Sequence, residues 1–229
     1  MNFYEPEIGR AAVYVLEKLG YRVMLADAGC CMRPAISNGL LRAAQPRAEA
    51  LVEHLHQFVL QGYKIVGCEP SCVSAIKEDY PDLVRNREQA RAVAENFLLI
   101  EDFVLQHIEK NGLLASRQNS DAPIVYHGHC HHKALFGTAA SKAVLTRVTG
   151  CSVQEIDSGC CGMAGAFGHE KRHYDISIKI GARRLFPAVN AAGSGQRIVA
   201  NGFSCRHQIE HATGKKAKHA IEVLAEAMA

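Results

Sequence analysis

No run of this 229-residue sequence approaches the roughly 20 consecutive apolar residues that a membrane-spanning helix needs. The opening residues, Met1-Asn2-Phe3-Tyr4-Glu5-Pro6-Glu7, are acidic and lack the apolar core of a secretory signal, so a cytoplasmic location is expected. Neither sign of charge is in large excess. A formal net charge of +3 with no basic stretch interleaved with aromatics gives no footprint for nucleic acid. There is no G-x-G-x-x-G loop after a strand pattern, so neither a nicotinamide nor a flavin nucleotide has an obvious seat. No Cys-x-x-Cys pair occurs either, which removes the usual dithiol redox motif.

Cysteine itself is plentiful. Nine cysteines, an odd number, in a chain with 48% hydrophobic and 21% charged residues point to metal or redox use in an ordinary globular protein. A disulfide framework fits less well. Two of the nine stand in Asp157-Ser158-Gly159-Cys160-Cys161-Gly162-Met163-Ala164-Gly165-Ala166-Phe167-Gly168, between an apolar alternating run (151–156) and a helical pattern. Such a loop turns backbone N–H groups toward whatever binds there, and its glycines permit close approach. Vicinal cysteines cannot bridge each other without strain. As thiolates they are metal ligands or nucleophiles.

The loop occurs twice. Asp27-Ala28-Gly29-Cys30-Cys31 matches Asp157-Ser158-Gly159-Cys160-Cys161, and Lys64-Ile65-Val66-Gly67 leading to Ser71-Cys72 matches Arg197-Ile198-Val199-Ala200 leading to Ser204-Cys205. The offsets, 130 for Asp27 and Asp157 and 133 for Cys72 and Cys205, agree closely enough to imply an internal duplication. The expected fold is α/β, with two duplicated Rossmann-like halves built on mainly parallel sheets and with cysteine loops after the strand C-termini. The halves span 1–114 and 123–229, joined by a polar linker at 115–122.

Periodicity predicts a helix from Pro6 to Gly20, a strand at 21–26, a helix at 47–60 after the breaks at Pro34 and Pro46, and a strand at 64–67. A single helix is expected over 88–109. The second half reads as a strand at 124–126, a helix at 138–149, a strand at 152–156, a helix at 170–186 stopped by Pro187, a strand at 197–200 and a last helix at 215–228. Lysines 215, 216 and 218 would oppose that last helix's dipole.

Cys130, Cys160, Cys161 and Cys205 then follow three separate strands, and four converging thiols suit an iron–sulfur cluster or a structural zinc. The first half offers Cys30, Cys31, Cys68 and Cys72. Cys151, outside the repeat, reads as a buried small hydrophobe. His169-Glu170-Lys171-Arg172-His173 matches the zinc-protease pattern H-E-x-x-H, but a third ligand is missing and a solvated helical turn explains it better. His127, His129, His131 and His132 are expected as hydrogen-bonding neighbours of a metal site or as surface groups. His207 and His211 share a surface helix face.

The paired cysteines, the His129-Cys130-His131-His132 segment, Gly159-Cys160-Cys161-Gly162-Met163-Ala164-Gly165 and the ending Ser204-Cys205-Arg206-x-Gln208-Ile209 resemble the cysteine-rich CCG domain family. Its members include a component of heterodisulfide reductase and the iron–sulfur subunits of glycolate, glycerol-3-phosphate and lactate oxidation. Within that family the chain looks closest to the C-terminal region of fused FAD-linked oxidase/iron–sulfur D-2-hydroxy-acid dehydrogenases.

The resemblance implies metal ligation by Cys130, Cys160, Cys161 and Cys205 and by Cys30, Cys31, Cys72 and Cys68, with Gly162, Gly165 and His129 lining the bound group. It implies a 4Fe–4S cluster, non-cubane in heterodisulfide reductase, with zinc as the alternative and FAD only in a partner domain. Electrons would pass from flavin to quinone or another acceptor. Expected partners are a flavoprotein and other iron–sulfur modules, with peripheral membrane association only through them. A zinc docking module and a disulfide-reducing component are the other readings. The chain departs from the family pattern where Gly202 and Glu69 replace the first cysteine of Cys-x-x-Cys. A leading cysteine for the first half would fall just before Met1, so the chain is expected to continue a longer one.

Overall fold

The computed structural model describes residues 4–112 and 122–229. Helix α1 (Pro6–Lys18) is followed by α2 (Arg33–Ser37), α3 (Leu41–Leu60), strand β1 (Ile65–Gly67), α4 (Pro70–Ser74), a π-helical turn (Ala75–Asp79), α5 (Tyr80–Leu83), α6 (Arg87–Asn96), β2 (Phe97–Leu99) and α7 (Ile100–Asn111). Then come β3 (Ile124–His127), a second π turn (His132–Phe136), α8 (Ala139–Thr149), β4 (Val153–Glu155), two 3₁₀ turns (Phe167–His169, Lys171–His173), α9 (Tyr174–Ala182), α10 (Leu185–Ala191), β5 (Arg197–Ala200), α11 (Phe203–Thr213) and α12 (Ala220–Met228). The described part is α/β with small parallel sheets. Among the described residues no helix is long and apolar enough to cross a membrane.

The chain forms two compact units, Met24–Ile100 and Met1–Val23 with Glu101–Ala229. In space, α1 and α7 therefore go with the residues after the expected linker, although they precede it in sequence. The linker at 115–122 lies, apart from Ala122, outside the described residues.

In the unit of 24–100, β1 and β2 pair in parallel, Ile65 opposite Phe97 and Gly67 opposite Leu99. Gly67 is required by that pairing, because a Cβ there would stand 2.7 Å from both the Phe97 ring and Val73. The single helix predicted over 88–109 is thus interrupted. Phe97 and Leu99 are buried as a strand. Lys77 Nζ takes the Ala94 and Phe97 carbonyls at 2.7 and 3.1 Å, which a continuing helix would have used. The strand predicted at 21–26 takes no regular secondary structure and joins no ladder among the described residues, so Cys30 and Cys31 follow no strand. Helix α3 starts at Leu41 and carries Pro46 inside it.

In the other unit β3 is central, with order β4–β3–β5, all parallel. All four β3 residues are buried, as a strand covered on both faces requires. Val125, Ile156, Cys161, Met163, Leu185, Val189, Ile198, Cys205 and Ile209 share one core. The thiol-bearing loops are thereby anchored in apolar packing at the strand C-termini.

The helix predicted over 170–186 is instead one 3₁₀ turn (Lys171–His173), α9 and the start of α10. Pro187 sits in the first turn of α10, where its missing N–H costs nothing. The last helix starts only at Ala220. His219 caps it and forms a reciprocal capping box with Glu222. The lysines that would have opposed its dipole lie in the preceding segment, where Lys218 pairs with β5 through Ala200 N–H and Ile198 C=O.

Candidate metal centre

β3 ends at His127, which is fully buried, and its Nδ1 lies 2.8 Å from Ser158 Oγ in the cysteine loop. Two residues on, His129 Nδ1 accepts the His131 backbone N–H at 3.2 Å, and Cys130 opens the helical turn that becomes the second π segment. After β4, residues 156–162 swing the paired cysteines back over the strand ends. Gly162 (φ 101), Ala164 (φ 41) and Gly165 (φ 68) take left-handed backbone. This curls the loop so that Cys160 Sγ accepts the Gly162 N–H at 3.3 Å and the Ala164 N–H as well. That concavity of amides favours an anion at Cys160. Gly162 cannot be replaced without rearrangement, because a Cβ would fall 2.1 Å from Ser177 O on α9.

Four sulfurs form a linked row in this crevice. Cys130 is hydrogen-bonded to Cys160, Cys160 to Cys161, and Cys161 to Cys205. Cys161 and Cys205 are almost fully buried, while Cys130 and Cys160 are half-buried. Hydrogen bonds from Cys130 and Cys161 and from the loop amides hold the Cys160 thiol well below its ordinary range. Cys205 is also lowered, first by the Cys161 thiol and then by the neighbouring His127. The hydrogen bond to Cys160, with burial, pushes Cys130 up, and hydrogen bonds to Cys160 and Cys205, with burial, push Cys161 up. Four sulfurs gathered in this way are a donor set on which an electropositive metal group can replace protons.

Three further observations fit a bound group. The His127 ring is fully buried, with Nδ1 on Ser158 Oγ and its other edge facing Cys205, so it lies against any group held by that sulfur. Gly202, the N-cap of α11, leaves room that a Cβ would close, since it would stand 2.3 Å from the His129 ring and 3.1 Å from Cys205 Sγ. The His129 ring thus fills the space beside Gly202 and next to Cys205. Arg206, one residue past Cys205, is buried, donates to the Ala200 and Asn201 carbonyls at 2.9 and 2.8 Å and pairs with Glu5, which fixes the head of α11.

In the unit of 24–100, Cys31 Sγ lies 2.9 Å from Cys72 Sγ and Cys30 is hydrogen-bonded to Cys31. Cys30, Cys31 and Cys72 are therefore brought together. Cys68 is half-buried directly after β1. Tyr80 OH donates to Cys31 O at 2.9 Å, and Arg33, paired with Asp79, faces the thiols. The bond to Cys30 lowers Cys31, but Cys72 and burial outweigh it and push the thiol up to about 12. Met32 (φ 56) donates its N–H to Cys30 Sγ at 3.4 Å, the same local turn that Gly162 makes on Cys160.

Outside these clusters, Cys151 is buried beside Arg197. His169 to His173 occupies 3₁₀ turns, where His173 stacks on Phe167, so the helix face that the protease pattern needs is not formed. His211 bonds Tyr174 OH at 2.8 Å on the surface, and His132 is fully buried. Among the described residues no three His, Cys, Asp or Glu side chains are grouped to hold a single metal ion. Sequence reasoning passed over Tyr80, Arg33 and Lys133. None carries a motif of its own, and only the spacing of Lys133, three residues after Cys130, was a usable signal.

The profile of the CCG cysteine-rich domain matches residues 1–77 and again 124–210, and the chain belongs to that family. It is 27% identical over 231 residues to a subunit of the anaerobic glycerol-3-phosphate dehydrogenase of Escherichia coli K12, covering 100% of this chain and 57% of that protein. It is 27% identical to D-2-hydroxyglutarate dehydrogenase of Pantoea ananatis, over 98% of this chain but 21% of that protein. It is 28% identical to lactate utilization protein A of Macrococcus caseolyticus, over 98% of this chain and 92% of that protein. The chain thus spans little more than half of the first relative and about a fifth of the second.

Proposed function

We propose that the chain is an iron–sulfur electron-transfer module working with a flavin-dependent dehydrogenase of D-2-hydroxy acids or a related small substrate, and passing electrons from flavin to quinone or another acceptor. The observation that carries this reading is the row of four thiols, Cys130, Cys160, Cys161 and Cys205, delivered from three adjacent strand ends into one buried crevice. A cluster with several irons offers several bonding partners to such a row, and when bound it would supply one-electron transfer. Gly162 and Gly165 supply the left-handed turns that curl the loop over the site, and His129 walls it on the α11 side. The names of the relatives support pairing with dehydrogenase components.

The two family matches support a duplicated chain. So does the shared turn in which Met32 and Gly162, both at positive φ, bond the sulfur two residues back. Cys72 and Cys205 each take the third position of a helix following a parallel strand. On this reading Cys30, Cys31 and Cys72, with Cys68, form a second candidate set.

Anaerobic reconstitution followed by iron, sulfide and zinc analysis tests the proposal. The wild-type chain is expected to bind iron with acid-labile sulfide, Cys160→Ala to lose it, and Cys151→Ala to retain it. Equal loss from both variants would remove the site assignment. Zinc without sulfide in the wild type would turn the reading to a structural docking module.

A further inference from the structure

Lys133 belongs to no motif, yet its ammonium group reaches across the crevice. Its Nζ donates to the carbonyl oxygens of Ser158 and of Gly159, the latter at 3.0 Å. These are the two residues that immediately precede Cys160. Its backbone N–H is held by His129 O at 2.9 Å, and it lies in the π turn that begins two residues after Cys130. A π segment widens the helix by one residue per turn and is a frequent mark of functional sites. The side chain has a built path. A Cβ on Gly128 would stand 2.9 Å from Lys133 Cγ, 2.7 Å from Thr138 and 3.0 Å from Glu155 Oε1, so the stem crosses bare backbone.

Glu155 stands at this corner beside Gly128 and within the field of Lys133, and its Oε2 accepts from Lys142 at 2.7 Å and Thr138 at 2.8 Å, while Asp157, next to Ser158, is paired with Arg184. Two lysines and one carboxylate leave a net positive charge beside sulfurs that carry negative charge when a metal is bound.

We infer that Lys133 is a positioning residue that ties the Cys130 turn to the Cys160–Cys161 loop and raises the reduction potential of the group those cysteines hold. Two charge-assisted hydrogen bonds fix where Cys160 stands relative to Cys130. A fixed cation near the site favours the reduced, more negative state of whatever is bound. This inference rests on the iron–sulfur reading above only for its second half; the tie between the loops is a property of the folded chain alone.

The test uses Lys133→Met, which keeps the stem, and Lys133→Arg, which keeps the charge. Hydrogen exchange on the metal-free full chain should show faster exchange of the amides from 157 to 163 in the Met variant, with the amides of α12 unchanged. After anaerobic loading, redox titration followed by electron paramagnetic resonance should give a lower midpoint potential for the Met variant and a value near wild type for the Arg variant. Release of iron to a chelator should be about tenfold or more faster in the Met variant, the scale of losing one charged hydrogen bond. Unchanged loop exchange overturns the tie. An unchanged potential in a loaded Met variant overturns the electrostatic role while leaving the iron–sulfur reading intact. A wild-type chain that takes up no iron and sulfide removes that reading and the electrostatic role together, and loop exchange still decides the tie.

Discussion

At single residues, the second-half crevice shows how much depends on atoms that are absent. Gly128, Gly162 and Gly202 each stand where a Cβ would run into the side chains or backbone that shape the site. Glu155 is the clearest charged counterpart. Burial pushes its carboxyl up, but the bonds from Lys142 and Thr138 and the field of Lys133 together leave it below its ordinary 4.5. On acidification the unfolded chain therefore takes up this proton first. The stability contributed by Glu155 is complete above pH 4.5 and drains away as pH falls through the lower folded-state value. Glu155→Gln is expected to flatten that part of the pH dependence, as read from urea midpoints between neutral pH and about pH 3. An identical acid slope in both proteins would show that the carboxylate is not held down.

Among the elements, helix ends are settled by side chains from elsewhere. The C-terminus of α10 is closed by Lys215, whose Nζ takes the carbonyls of Val189, Asn190 and Ala192 at 3.0, 3.1 and 2.7 Å. This satisfies orphan acceptors and opposes the negative end of the dipole. Lys215→Met should lower unfolding free energy by about 1–2 kcal/mol, measured by chemical denaturation. Lys216→Met, at an exposed neighbouring position, should change it little. Equal effects would place Lys215 with the ordinary surface lysines. The same reasoning explains why α6 stops before Phe97, since Lys77 removes the carbonyls a longer helix would have used.

For the whole molecule, two family-matching segments carry two groups of thiols, and neither segment contains a nucleotide-binding glycine loop. It follows from the proposed function that the purified chain, loaded with iron and sulfide, shows no flavin absorbance and reduces no dye with D-lactate, glycolate or 2-hydroxyglutarate. Adding a cognate flavoprotein component should bring electron flow to the chain, seen as bleaching of the cluster's visible absorbance. Robust turnover by the chain without flavin would move the chemistry into the cysteine loops themselves.

The amino-acid sequence by itself determined the α/β class, the repeated cysteine loops, most strands and the residues that form the thiol row. Strand and helix periods, glycine-flanked cysteine pairs and a recurring offset are local signals that survive without tertiary information. Cys205 at the head of a helix after β5, and Cys130 after β3, were legible for that reason. Only the tertiary structure decided that Phe97–Leu99 is a strand, because a short apolar run reads equally as helix until β1 offers it a ladder. It also decided that 21–26 joins no ladder, because an alternating apolar run becomes a strand only when a neighbouring strand pairs with its backbone. The division into compact units, the His129 ring beside Gly202 and the reach of Lys133 to Ser158 and Gly159 belong to the same class. Each depends on residues distant in sequence meeting at one point, and no local pattern encodes where a side chain ends.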